Sequence, residues 1–141
     1  HLFNHNNVSF YDDYAHHPTE ISSVLTGVKN VHKNKEIVCV FQPHRISRVI
    51  NLKKEFSKCF KMADTVLLCP IYTANEKLKL NFTYHSFAKL IIKNSSVKLI
   101  QVDNEIQLRN FIRQNTFGKK IYIGMGAGSI SNWMKNLKNI F

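Results

Sequence analysis

Val8-Ser9-Phe10-Tyr11-Asp12-Asp13-Tyr14-Ala15-His16-His17-Pro18-Thr19-Glu20 passes from apolar residues through a charged turn to a proline. Val8–Tyr11 reads as a short strand. Pro18 suits the first turn of a helix, where its missing N–H is not needed, and Glu20 lies favourably against the helix dipole. Ile21, Val24, Leu25 and Val28 follow at helical spacing. Between strand and helix stand two carboxylates, a phenol and two imidazoles, where a plain connector would use Gly, Asn or Ser. A strand joined in this way to a helix is half of a parallel βαβ unit.

The same plan recurs along the chain. Glu36–Phe41 reads as a buried strand. It leads into the turn Phe41-Gln42-Pro43-His44-Arg45-Ile46-Ser47-Arg48 and a helix capped by Ser47, with Val49, Leu52, Phe56 and Phe60 inward. Thr65–Leu68 is a third strand, stopped by Pro70, and the loop Ile71–Leu80 leads to a helix carrying Phe87, Leu90 and Ile91. Val97–Val102 is a fourth strand. Asp103 or Asn104 caps the next helix, which bears Ile106, Phe111 and Ile112 and is ended by Gly118. Lys120–Ile123 is the fifth strand. The turn Gly124-Met125-Gly126-Ala127-Gly128-Ser129 then opens a closing helix, Ser129–Ile140, with Ile130, Trp133, Met134 and Leu137 inward. An edge segment around Leu2-Phe3 precedes the first strand.

This alternation predicts one α/β domain over residues 1–141. It is doubly wound, with a mainly parallel sheet of five or six strands and helices on both faces. Three chemically rich turns then line the carboxyl edge of the sheet, where open α/β sheets bind their ligands.

Composition narrows the classes. A chain of 141 residues with 44% hydrophobic content can bury a core without disulfide or metal staples. Cys39, Cys59 and Cys69 are odd in number and lie in apolar runs, which predicts small core residues and a reducing, cytoplasmic setting. No apolar run approaches the ~18 residues of a membrane span, no signal-peptide pattern opens the chain, and no membrane partner is expected. The chain opens at His1 without an initiator Met, which reads as a piece of a longer protein.

The net charge of +11 invites a nucleic-acid reading. Most of it comes from scattered Lys, with no dense basic tract interleaved with aromatics, so a solvated surface is expected and nucleic acid is not. Arg is used differently: two of the four, Arg45 and Arg48, share one turn. A cation at a helix start opposes the dipole by ~0.3–1 kcal/mol. Two of them there make sense where an anion is held, and the planar guanidinium fork suits carboxylate or phosphate.

The other turns leave alternatives open. An acid ending the first strand commonly accepts from ribose hydroxyls, while capping of its own helix is the other role for one of Asp12 and Asp13. Of His16 and His17, one is assigned to a ligand and one to structure. A Zn²⁺ site from Asp12, His16, His17 and His44 would lack the usual helical spacing of His ligands, so no metal is assigned. The glycine turn reads GxGxG rather than GxGxxG, and no GxxxxGK[ST] exists in the chain. Such a turn either exposes N–H groups to an anion or lets a helix pack closely on its strand.

Quoted together, DDYAHHPTE (Asp12–Glu20), FQPHRISR (Phe41–Arg48), YTANE (Tyr72–Glu76) and GMGAGSI (Gly124–Ile130) resemble the C-terminal domain of the Mur ligase family. The resemblance runs from about Val8 to the end, and the first two motifs are highly specific as a pair. It implies a Rossmann-like domain of an ATP-dependent carboxylate–amine ligase in cytoplasmic peptidoglycan precursor synthesis. ATP and Mg²⁺ would be bound mainly by a central domain and the UDP-sugar by an N-terminal one, both outside this chain and both partners of it. The motifs fit the branch that joins L-alanine to the carboxylate of UDP-N-acetylmuramate through an acyl phosphate.

By position, the resemblance implies nucleotide contacts at Asp13 and Tyr14. It places Tyr14 and His16 at the reacting centre, with His16 catalytic. Arg45 and Arg48 would hold the carboxylate of L-alanine, with His44 beside them in the substrate site, and Gly126, Ala127, Gly128 and Ser129 would complete that pocket. The chain departs from the family pattern at Cys69-Pro70, where Asp usually precedes Ile-Tyr. It carries Thr73 and Asn75 in place of Pro and Gly, lacks Pro-Ile-x-Gly after Glu76, and has Ser129 for Asp and Ile46 for Tyr. Most of these changes fall on the Cys69–Leu80 loop and leave the Arg pair intact. Two other readings are a sister ligase that recycles a tripeptide, which typically lacks Gln-Pro-His-Arg, and a non-catalytic basic module that binds anions or nucleic acid.

Overall fold

A computed structural model describes residues 1–77 and 82–141, so the end of the predicted loop Ile71–Leu80 lies outside the described residues. Among the described residues six strands form one sheet: β1 (Phe3–His5), β2 (Val8–Asp13), β3 (Glu36–Phe41), β4 (Thr65–Leu68), β5 (Lys98–Gln101) and β6 (Lys120–Met125). Their order is β1-β2-β6-β3-β4-β5. β1 is an antiparallel edge strand on β2, and every other pairing is parallel. The helices are α1 (Pro18–Val31), α2 (Ile46–Asn51), α3 (Lys53–Lys58), α4 (Tyr84–Ser95), α5 (Glu105–Asn115) and α6 (Ile130–Asn136), with a 3₁₀ turn at Leu137–Ile140.

The period of two along each strand builds two apolar layers. On β3, Ile37, Cys39 and Phe41 join Ile21, Leu25, Phe56, Phe60, Phe87 and Ile91, so α1, α3 and α4 cover that face. Val38 and Val40 face the opposite layer, where Leu108, Ile112, Ile130 and Met134 bring in α5 and α6. β6 alternates in the same way, with Ile121, Ile123 and Met125 on the first face and Tyr122 on the second. Gly124 has its reason here: a Cβ would collide with the Met134 side chain, so glycine lets α6 lie on β6.

The expected doubly wound plan is observed, and its topology creates a crevice. β2 and β3 each hand the chain to helices of the first face. β6, laid between them last, hands it to α6 on the second. A crevice opens at the carboxyl end where neighbouring strands diverge in this way.

Several boundaries differ from those expected, for local reasons. β2 and β6 run two residues further, to Asp13 and Met125, because parallel pairing continues to Asp13↔Met125 and Phe41↔Met125. The single helix expected after Arg48 breaks at Leu52 (φ −113°), which ends α2 and starts α3. Asn104 caps α5 by accepting from the Gln107 N–H at 2.9 Å. That helix buries Leu108 and Ile112, while Ile106 is 69% exposed. Gly118 (φ +75°) lies beyond the helix end at Asn115 rather than closing it. All three cysteines are free and buried, and burial pushes the Cys69 thiol up to about 12, so they fill space as unreactive thiols.

Phe56, fully buried against Phe41 at 5.7 Å between ring centroids, ties α3 to the sheet. Phe56→Ala is expected to cost about 3–5 kcal/mol in a urea unfolding curve, whereas Ile106→Ala should change stability by less than about 0.5 kcal/mol.

Candidate functional site

Because β2 continues through Asp13, its two terminal carboxylates point to opposite faces rather than crowding one turn. Asp12 turns toward α6 and accepts from the Ser131 hydroxyl at 2.5 Å; among the described residues its other oxygen is buried without a donor. Asp13 faces the other way and accepts from the Ala15 N–H at 2.8 Å, closing an Asx turn that starts the next segment. Its backbone carbonyl receives the Gly126 N–H at 3.4 Å. Asp13 therefore joins the β2 turn to the β6 turn.

The two histidines sit in different surroundings. His17 is structural: its Nδ1 accepts from the Thr19 N–H at 3.2 Å and caps α1. His16 lies against the crevice, with Nδ1 2.9 Å from the Tyr14 carbonyl and 3.9 Å from the Glu20 carboxylate. Its ring centre is 5.2 Å from Tyr14 and 5.9 Å from His44. Tyr14 is 71% exposed.

The turn after β3 is built jointly with the segment after β4. The Arg45 N–H donates to the Tyr72 carbonyl at 2.8 Å, and the Tyr72 N–H donates to the Pro43 carbonyl at 2.8 Å. The Tyr72 ring stacks on His44 at 5.4 Å and 10°. Ser47 is not the cap of α2. Arg45 holds that position with φ +67°, and the acceptor comes from Glu76, whose carboxylate takes the Ser47 N–H at 3.0 Å and the Ser47 hydroxyl at 2.6 Å. Those bonds, aided by the Arg45 charge, hold the Glu76 carboxyl below its ordinary range. The cationic helix start thus already carries one anion of its own.

Arg48 reaches His44, with Nη1 3.2 Å from Nδ1. Burial first, then the charges of Arg48, His16 and Arg45, lower the His44 pKa against a weaker opposing pull from Glu76. His44 is therefore neutral at pH 7.

The glycine turn is closed rather than open. Gln42 is 3% exposed; its Nε2 donates to the Ser129 hydroxyl at 2.9 Å and its Oε1 accepts the Ile130 N–H at 3.0 Å. A Cβ on Gly128 would lie 2.5 Å from Tyr72 Cγ, and one on Gly126 (φ +154°) 2.8 Å from the Gln42 carbonyl. Close packing of Gln42 and Tyr72 is thus what requires glycine at both positions. Ala127 and Ser129 are half-buried beside them.

Together these contacts place Asp13, Tyr14, His16, His44, Arg45, Arg48 and Gly126–Ser129 at one end of β2, β6 and β3. Sequence reasoning missed three residues that assemble them: Gln42, Tyr72 and Glu76. Each left a signal. Gln42 is a carboxamide set in an apolar strand end, and Tyr72 and Glu76 bound the YTANE motif. A cavity of about 720 Å³ lies at the opposite end of the sheet, between Asn4, Ser9, Lys33, Lys35 and Lys119, and touches none of the site residues. The candidate site is an open shelf.

A Rossmann-like domain with a cationic shelf at its switch point is the class defined by fold and geometry. Residues 2–110 match the family model described as Mur ligase, glutamate ligase domain, and the chain belongs to the Mur ligase family. It is 60% identical over 139 residues to UDP-N-acetylmuramate–L-alanine ligase of Pelagibacter ubique, covering 99% of this chain and 30% of that protein. It is 42% identical over 123 residues to the ligase of the same name from a Hydrogenobaculum strain, covering 87% of this chain and 26% of the relative. The chain thus spans less than a third of these relatives. The crystal structure of UDP-N-acetylmuramate–alanine ligase from Thermotoga maritima superposes with a TM-score of 0.68 at 24% identity, covering 98% of this chain and 28% of that one. A murein peptide ligase from Psychrobacter arcticus gives 0.72 at 16%, covering 96% and 28%. At these identities the structures speak for the fold.

Gly128→Ala should push against Tyr72 and Gln42 Oε1, costing about 1–3 kcal/mol; Tyr72→Ala removes the contact with the ring and leaves those with Gln42 Oε1 and the Cβ of residue 72, so a double-mutant cycle of unfolding free energies should report partial relief. Glu76 adds a pH dependence. Its carboxyl is lowered on folding, so its stabilisation is present above the ordinary Glu range and is lost as pH falls through the folded value. Glu76→Gln is expected to flatten the fall of stability below about pH 4.3, the ordinary Glu value, measured by denaturant titration at a series of pH values.

Proposed function

We propose that this chain is the amino-acid-binding and nucleotide-contacting part of an ATP-dependent ligase joining L-alanine to the carboxylate of UDP-N-acetylmuramate. One observation carries the reading: the Gln42–Arg48 turn sets the Arg48 guanidinium on His44, whose ring neighbours His16 at the switch point and feels the Arg45 charge, in a chain 60% identical to a ligase of that name. Arg45, exposed at the start of α2, and Arg48 supply the cationic end of a pocket for the amino-acid carboxylate. Gly126, Ala127, Gly128 and Ser129 wall it on the β6 side. Asp13 keeps one carboxylate oxygen for a ribose hydroxyl, since the other accepts from Ala15, and exposed Tyr14 lies over the nucleotide and the reacting centre.

The chemistry assigned to this shelf is positioning and proton transfer. ATP converts the muramate carboxylate into an acyl phosphate. The amine nitrogen of L-alanine forms a bond to the acyl carbon, and the resulting tetrahedral nitrogen loses its proton to His16. The C–O bond to phosphate then breaks, and phosphate leaves with the electron pair. In this reading Mg²⁺ is held mainly by the central domain of the ligase. The reading places the protein in the cytoplasm, with the central and N-terminal domains of the same ligase as partners. Among the described residues no helix is long and apolar enough to cross a membrane.

Arg45→Ala in the full-length ligase should raise the KM for L-alanine about ten- to hundredfold, the scale of one lost charge-assisted bond, and leave the KM for UDP-N-acetylmuramate nearly unchanged. Equal damage to both would remove Arg45 from the amino-acid pocket. The 141-residue chain alone should release no phosphate from ATP in a coupled assay.

A further inference from the structure

We propose that Arg48 fixes the hydrogen of neutral His44 on Nε2, so that His44 and His16 present an opposed donor and acceptor to the incoming amino acid. The tautomers follow from bonding alone; the identity of the amino acid rests on the ligase reading above.

A guanidinium carries only N–H donors, so the His44 nitrogen 3.2 Å from Arg48 Nη1 must offer its lone pair. That nitrogen is Nδ1, and the hydrogen of the neutral ring is then on Nε2. His16 is the reverse case. A carbonyl only accepts, so Nδ1 of His16, 2.9 Å from the Tyr14 carbonyl, carries a hydrogen, and in the neutral ring Nε2 then holds the lone pair. Two imidazoles 5.9 Å apart at the same strand ends thus show opposite Nε2 chemistry.

The surroundings keep His44 in this state. Its ring lies on Tyr72, whose backbone is bonded to Pro43 and Arg45. The charged and titratable groups facing it are Arg45 and Arg48 from α2, His16 from the turn after β2, and Glu76 from the segment after β4; all but Glu76 oppose a proton on the ring. Protonation at Nδ1 would also turn an N–H against the guanidinium.

In the reaction, His44 Nε2–H donates to a carboxylate oxygen of the amino acid and is unchanged by turnover. His16 Nε2 accepts the proton released when the amine nitrogen bonds to the acyl carbon. The imidazolium so formed has the Glu20 carboxylate 3.9 Å from its Nδ1. Arg48 therefore has a positioning role through His44 besides its share in the carboxylate pocket.

The tautomers are read directly from the ring ¹⁵N shifts of histidine-labelled 141-residue chain near neutral pH. The expected result is an unprotonated Nδ1 and protonated Nε2 for His44, with the opposite for His16. A protonated Nδ1 on His44 would overturn the proposal in the unmutated chain, whatever any variant does. In Arg48→Met, His44 should exchange between tautomers and titrate at higher pH, because a charge that lowers its pKa is gone. An unmoved midpoint and tautomer would remove Arg48 from the mechanism.

The donor role is tested in the full-length ligase. His44→Gln keeps an N–H near the Nε2 position and should hold the KM for L-alanine within about fivefold, whereas His44→Asn, which reaches only Nδ1, should raise it more than tenfold. Equal effects would sink the donor role while leaving the ligase reading intact. The expected tautomers in a full-length protein that does not ligate L-alanine would instead sink the substrate.

Discussion

A single buried carboxamide ties the turn after β3 to the turn after β6. Gln42 leaves the end of β3 and spends both polar atoms on the β6–α6 turn, one on the Ser129 hydroxyl and one on the first N–H of α6. Buried without these partners, each would cost about 1–3 kcal/mol. With them, the strand that carries His44, Arg45 and Arg48 cannot slide relative to the strand that carries the glycine turn. Tyr72 completes the joint by lying on Gly128 and under His44, and the backbone bond from Gly126 to Asp13 extends it to β2. The shelf is assembled by groups that are not themselves its chemistry.

That division explains how far the amino-acid sequence could be read. The apolar period of two in Ile37–Phe41 and the helical spacing in Ile21–Val28 reflect burial, which repeats, and they gave the α/β plan. The strand ends were harder, because pairing of β2 with β6 depends on a residue more than a hundred positions away and carried both strands two residues further. Asp12 and Asp13 were legible as chemistry, but not as opposite faces. The Ser47 cap failed for a similar reason. Locally a serine at a helix start is the natural acceptor, yet a carboxylate 29 residues on does that work and makes Ser47 a donor.

Fold and branch rest on different evidence. Likeness to a murein peptide ligase at 16% identity and to an alanine-adding ligase at 24% is nearly the same in superposition, because both report the same two-layered sheet. The alanine-adding reading proposed above leans instead on the Gln42–Arg45 turn and on 60% identity to a UDP-N-acetylmuramate–L-alanine ligase.

The departures from the family pattern gain meaning from the backbone. Arg45, Ala74 and Asn75 all have left-handed φ values, +67°, +50° and +67°, and they flank the Glu76 cap. Where the pattern carries Gly, this chain has Asn75, and asparagine is the side chain that pays least for that conformation. The alphabet open to position 75 is accordingly very short, and a β-branched residue there would have to unbend the segment that carries Glu76 to the start of α2.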